Sequence, residues 1–205
     1  MASEAGICNA ALQLVKHSKT ITSLQQASKE ANACEVVFEE LRDTMLEMHV
    51  WNFAIRRVQL AALVSTPAFE WKYSYQLPAD HLRVVSVNAS TVGLGHAAYR
   101  IEGDTLSADA EEVYLKYVAR IVDPNLMTPT FRAALSKLLA SRLAVALTQS
   151  PALSKELYAQ FIDQDLPTAK SADALADQAD QLPESEWVAV RYGDRMDYYH
   201  KPGLL

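Results

Sequence analysis

Ile7, Ala11, Leu14 and Val15 recur at helical spacing near the start of the chain, with Ser3 ahead of them as a capping residue. The pattern predicts a helix from about Ser3 to Lys16. Residues 18–27 are polar and short-chained and predict a loop. A second helix is expected from Ser28, with Cys34, Val37, Phe38, Leu41, Met45 and Met48 on one face. Glu35, Glu39, Glu40, Arg42, Asp43 and Glu47 fill the opposite face, which should be solvated. This helix should end at His49–Val50, ahead of Trp51-Asn52-Phe53-Ala54.

The period then changes. Residues 56–64 fit helix or strand equally, and Pro67 ends whichever forms. Trp71, Tyr73 and Tyr75 alternate with Lys72, Ser74 and Gln76, the period of an aromatic strand. Leu77–Asp80 predicts a turn, and residues 82–87 a β-branched strand. Residues 88–97, with Gly93 and Gly95, predict a loop tip. Residues 99–102 and 105–107 flank Gly103-Asp104 as a tight hairpin. Residues 113–118 complete one small antiparallel sheet of four or five strands over 55–121.

Helical spacing returns after Asp123-Pro124. Apolar residues cover most of the circumference of Thr130–Thr148, so this helix should lie buried between neighbours. After Ser150-Pro151 a further helix carries Leu153, Leu157, Phe161 and Ile162 and can run to about Gln181. Its second half is Ala-rich with a thin apolar stripe, so propensity favours helix while packing support is weak. The stretch from Pro183 to Leu205 has no helical period, yet it holds Trp187, Tyr192, Tyr198 and Tyr199. Aromatics left in water are unfavourable. The segment either packs back as an edge strand or orders on a partner.

Composition narrows the function classes. The 205 residues are 50% hydrophobic and 21% charged, a globular balance, and the net charge of −6 opposes tight binding to nucleic acid phosphates. No run approaches the ~18 apolar residues of a membrane span, and no signal peptide is expected at the N-terminus. Cys8 and Cys34 show no metal-ligand spacing, sit on apolar faces and read as small hydrophobes. The five histidines are scattered. No P-loop, GxGxxG or GxSxG context occurs, so no catalytic, cofactor or metal residue is expected.

Five features in one order carry a resemblance. Ile7-Cys8-Asn9-Ala10-Ala11-Leu12 lies in the first helix. His49-Val50-Trp51-Asn52-Phe53-Ala54 ends the second, followed by Arg56 and Arg57. Pro67 and the aromatic strand come next, then Gln76-Leu77-Pro78-Ala79-Asp80-His81-Leu82-Arg83-Val84. The apolar helix with Phe131 and Ala133–Leu147 completes the order. The chain resembles the head-to-tail adaptor proteins of tailed bacteriophages, the group containing tail tubular protein A. Their opening reads xCNxAL, their junction HPWNFA (Val50 replaces the Pro here) and their strand entry YxLPxDxLRV. The likeness covers about residues 5–165.

The resemblance implies an α+β, mainly α fold: an antiparallel helix bundle from 1–54 and 122–182, an inserted β domain over 55–121, and a C-terminal arm over 183–205. It implies a structural virion protein, not an enzyme, without cofactors. Such proteins form a ring, usually dodecameric, under the portal protein. They join it to the tail, nozzle or tail-terminator protein, and genomic DNA passes through without specific binding. Trp51, Phe53, Leu77, Pro78 and Arg83 would then fix the β insertion on the bundle. Arg56, Arg57 and Arg83 fit intersubunit or domain-junction ion pairs and plain surface charge equally. Trp187, Tyr192, Tyr198 and Tyr199 would anchor the arm on the portal. A neck or head-completion protein of a long-tailed phage is the alternative in the same class. A hydrolase or a DNA-binding accessory module is the alternative outside it.

The acidity is uneven. Residues 165–186 hold six acids (Asp165, Asp173, Asp177, Asp180, Glu184 and Glu186) against Lys170 alone. That charge is expected at the root of the arm, facing the channel or the portal, where an acidic wall lets DNA slide.

Overall fold

A computed structural model describes residues 2–89 and 98–176. It is an α+β, mainly α structure with two small antiparallel sheets. The strand ending at Ala89 takes the first two residues of the loop tip expected over 88–97. Its remainder over 90–97, any helix beyond Ala176, the arm over 183–205 and its residues Trp187, Tyr192, Tyr198 and Tyr199 lie outside the described residues.

Side-chain caps place the helix starts. Ser3 Oγ accepts from the Gly6 amide at 3.0 Å and opens α1 (Glu4–Leu14). Ser28 Oγ accepts from Ala31 at 3.1 Å and opens α2 (Lys29–Glu47). Thr128 Oγ1 accepts from Phe131 at 3.3 Å, with Pro129 in the first turn of α3 (Pro129–Thr148). Gln149 ends α3 in the left-handed region at φ 54°, and Ser150 then caps α4 (Pro151–Gln160). A π-helical turn over Phe161–Asp165 leads into α5 (Leu166–Ala174). Pro167 accounts for that turn, because it has no amide to give the carbonyl four residues back.

The loop between α1 and α2 is held by Asn9. Its side-chain amide donates to the Ile21 carbonyl and accepts from the Ile21 amide, each at 2.8 Å. This seats Ile21 in the core. Cys8 and Cys34 meet where α1 faces α2, both fully buried and free. A hydrogen bond with Cys34, then burial, pushes the Cys8 thiol far up, so it stays protonated.

α3 packs against α1, α2 and α4 and forms the helical centre. Its buried hydroxyls return to helix carbonyls: Ser136 Oγ donates to Arg132 O at 2.9 Å, and Ser141 Oγ to Leu138 O at 2.6 Å. Leu14 stands half-exposed, while Leu12 and Cys8 take the inner face of α1.

The β segments form two three-stranded sheets, not one. The first has order β1-β6-β3, from β1 (Ile55–Leu60), β6 (Val113–Ala119) and β3 (His81–Ala89). The second has order β2-β5-β4, from β2 (Tyr73–Gln76), β5 (Thr105–Ala108) and β4 (Tyr99–Glu102). Trp71 precedes β2 instead of joining it. An isolated bridge from Ala62 to Tyr75 links the sheets, and the Leu63 amide donates to Ser74 O at 2.7 Å. The β4–β5 hairpin turns on Gly103-Asp104, and the φ of +63° at Gly103 is the positive value this turn needs. Leu60, Tyr75, Leu106, Leu115 and Val118 join the same continuous core as the helices.

Candidate functional site

The helices and sheets meet at Trp51-Asn52-Phe53. The chain leaves α2, turns through a 3-10 segment over Asn52–Ala54 and enters β1. Trp51 is fully buried, and its Nε1 donates to the Met45 carbonyl at 2.9 Å, satisfying an orphan group of the last turn of α2. Phe131, in the first turn of α3, stands edge-on to Trp51 and Phe53, with both ring centroids 5.0 Å away. His49 stands edge-on to Trp51 at 4.8 Å. Edge-to-face packing suits the ring quadrupoles and fixes the rings against one another.

A polar clamp closes the other side. Asp173 of α5, 4% exposed, accepts the Asn52 amide with both carboxylate oxygens, at 3.2 and 3.1 Å. Asn52 Nδ2 donates back to the Asp173 carbonyl at 2.9 Å. His49 Nε2 lies 3.6 Å from Asp173 Oδ2. Burial nonetheless holds the His49 pKa below its usual value; Asp173 opposes the shift, while Lys170 and Arg83 add to it. His49 is therefore neutral at pH 7.

The strand entry reaches the same junction. Arg83 of β3 donates from Nη1 to the Glu47 carbonyl at 3.1 Å, placing a cation at the C-terminal end of α2. Leu77 is buried, and its amide donates to Asp104 O at 2.9 Å. The Pro78 carbonyl accepts from the His81 amide at 3.0 Å and closes the turn into β3. Asp80 accepts from the Tyr117 hydroxyl at 3.1 Å, and its carbonyl accepts the Arg120 amide at 2.7 Å. Arg120 Nε in turn meets Asp43 Oδ2 at 2.7 Å, and Arg42 Nε meets Asp43 Oδ1 at 2.9 Å. Arg42 is 2% exposed, so the solvated position expected for it is wrong. Its neighbour Asp43 supplies the compensating charge. Arg56 and Arg57 stay exposed and make no ion pair among the described residues.

The position expected for Asp173, among the acids facing the channel or the portal, is wrong: it is buried and bonded to Asn52. Asn52 and Phe131 are junction residues that the sequence reading gave no such role. One signal for Asp173 was present: Leu166, Ala169 and Asp173 share a helical stripe, and the first two are buried. An acid on that stripe needs a buried partner. Among the described residues no group of three His, Cys, Asp or Glu could hold a metal ion. The arrangement joins the end of α2, the entry to β1, β3, α3 and α5 at one point.

Comparison with protein-family models and with curated proteins finds no match for this chain.

Proposed function

We propose that the chain is a head-to-tail adaptor of a tailed bacteriophage, a structural virion protein made in the host cytoplasm. It would assemble as a ring, dodecameric in this reading, between the portal protein above and the tail, nozzle or tail-terminator protein below. Genomic DNA would pass through the ring without specific binding.

The observation that carries the reading is a meeting of motifs. The block His49–Ala54 and the block Gln76–Val84, which carry the resemblance, converge on one end of α2: Arg83 bonds the carbonyl of Glu47, two residues ahead of His49. The opening motif is also engaged, since Asn9 fixes the following loop and Cys8 packs on α2. Residues shared with a family for structural reasons should make such contacts; scattered chance matches have no reason to. Among the described residues, no helix is long and apolar enough to cross a membrane.

The arm supplies the test. In this reading Trp187, Tyr192, Tyr198 and Tyr199 dock on the portal. Co-sedimentation of the full chain with the portal protein of the same genome should show binding, and deleting 185–205 should abolish it. Undiminished binding by the deletion variant would discard the arm as the docking element.

A further inference from the structure

The outer face of the β1-β6-β3 sheet carries two cations side by side. Arg57 and Lys116 are direct cross-strand partners, and Lys116 is in turn opposite Ser86. Gln59 and Tyr114 form the next row on the same face. These residues line a cavity of about 330 Å³. Neither Arg57 nor Lys116 has an acidic partner among the described residues, although Lys116 is half-buried. The acid nearest in sequence, Glu112, takes the Tyr114 hydroxyl at 3.4 Å. Like charges directly opposite in a sheet destabilise it unless an anion lies between them.

We propose that this face binds the acidic segment Asp177–Glu186 of the same chain. That segment holds Asp177, Asp180, Glu184 and Glu186 and no Lys or Arg. Its starting point is fixed: Asp173 is bonded to Asn52, and Arg57 follows Asn52 by five residues, at most about 18 Å of chain. Ten residues beyond Ala176 reach up to about 33 Å, enough to lay the carboxylates over the Arg57–Lys116 pair. Carboxylates accept from guanidinium and ammonium groups together, and Ser86 and Gln59 can donate to the oxygens left over. This inference stands on the charge pair, apart from any portal.

Carbodiimide cross-linking of the isolated full chain tests it, because the reagent joins a carboxylate to an amine in contact. An equal mixture of isotope-labelled and unlabelled chains separates contacts within a chain from those between chains. The expected product joins Lys116 to one of the four acids within one chain. Its yield should fall several-fold in about 1 M salt, where the screening length is roughly 3 Å. The full-length variant with Asp177→Asn, Asp180→Asn, Glu184→Gln and Glu186→Gln should shift the Ser86 and Lys116 amide resonances. It should also bind a short DNA duplex several-fold more tightly than the wild type, because the cations are freed. No such cross-link, a cross-link only between chains, or equal DNA affinity of the two proteins would overturn the proposal. Portal binding enters none of these readouts, so failure here is distinguishable from failure of the adaptor reading.

Discussion

Asp173 grips the backbone amide of Asn52 with both carboxylate oxygens, and Asn52 returns a bond to the Asp173 carbonyl across 121 positions of sequence. A buried carboxylate joins the last described helix to the residue from which the sheets depart. Asp173→Ala should therefore lower unfolding free energy by about 3 kcal/mol, since it strands a half-buried amide as well as losing charge-assisted bonds. Asp173→Asn retains an accepting oxygen and should lose distinctly less. Urea denaturation of the two variants measures the difference, and equal losses would count against the clamp.

Trp51 contributes packing and one hydrogen bond, which two substitutions separate. Trp51→Phe keeps an aromatic ring beside Phe131 but frees the Met45 carbonyl, for an expected loss of about 1–2 kcal/mol. Trp51→Ala opens a cavity in the core and should lose about 3–5 kcal/mol. The same denaturation measurement reads both.

Arg42 is a buried cation that shares Asp43 with Arg120 and leaves Nη1 without a partner. Arg42→Met leaves the Asp43–Arg120 pair intact, so stability should change by less than about 1 kcal/mol or rise. Asp43→Ala instead leaves Arg42 buried and uncompensated, and should lose about 3 kcal/mol. Thermal unfolding that ranks the two the other way would contradict this assignment.

His49 sets a pH dependence. Its folded pKa is depressed below the ordinary 6.5, first by burial, so the unfolded chain binds the proton more readily. Its contribution is fully present above pH 6.5 and is lost as pH falls through the lower folded value. Wild-type stability should thus decline more steeply below pH 6.5 than that of His49→Gln. Parallel declines would show that His49 is not the responsible group.

Local chemistry was legible in the sequence where it is local in the structure. Ser3 and Ser28 cap the helices expected of them, and Gly103 turns the hairpin. The apolar surface of α3 lies largely buried from Phe131 to Ala144, whereas Val145 and Ala146 in its last turn are exposed. The division into two sheets was not legible. Period-two alternation tells which residues share a face, but not which strands are neighbours, and β1 pairs with β6 across the whole insertion. Arg42 and Asp173 were misread for a related reason. Asp173 bonds Asn52, 121 positions away, and the Asp43 that pairs with Arg42 also pairs with Arg120, 77 positions away; helical periodicity carries no trace of such partners. The π turn over Phe161–Asp165 lies directly ahead of Pro167, whose missing amide is visible in the sequence.

The most direct test of the adaptor reading is electron microscopy of the full chain mixed with the portal protein of the same genome. The account predicts a ring of this chain seated on the narrow end of the portal, coaxial with its channel. A chain that stays monomeric and leaves the portal undecorated would contradict it.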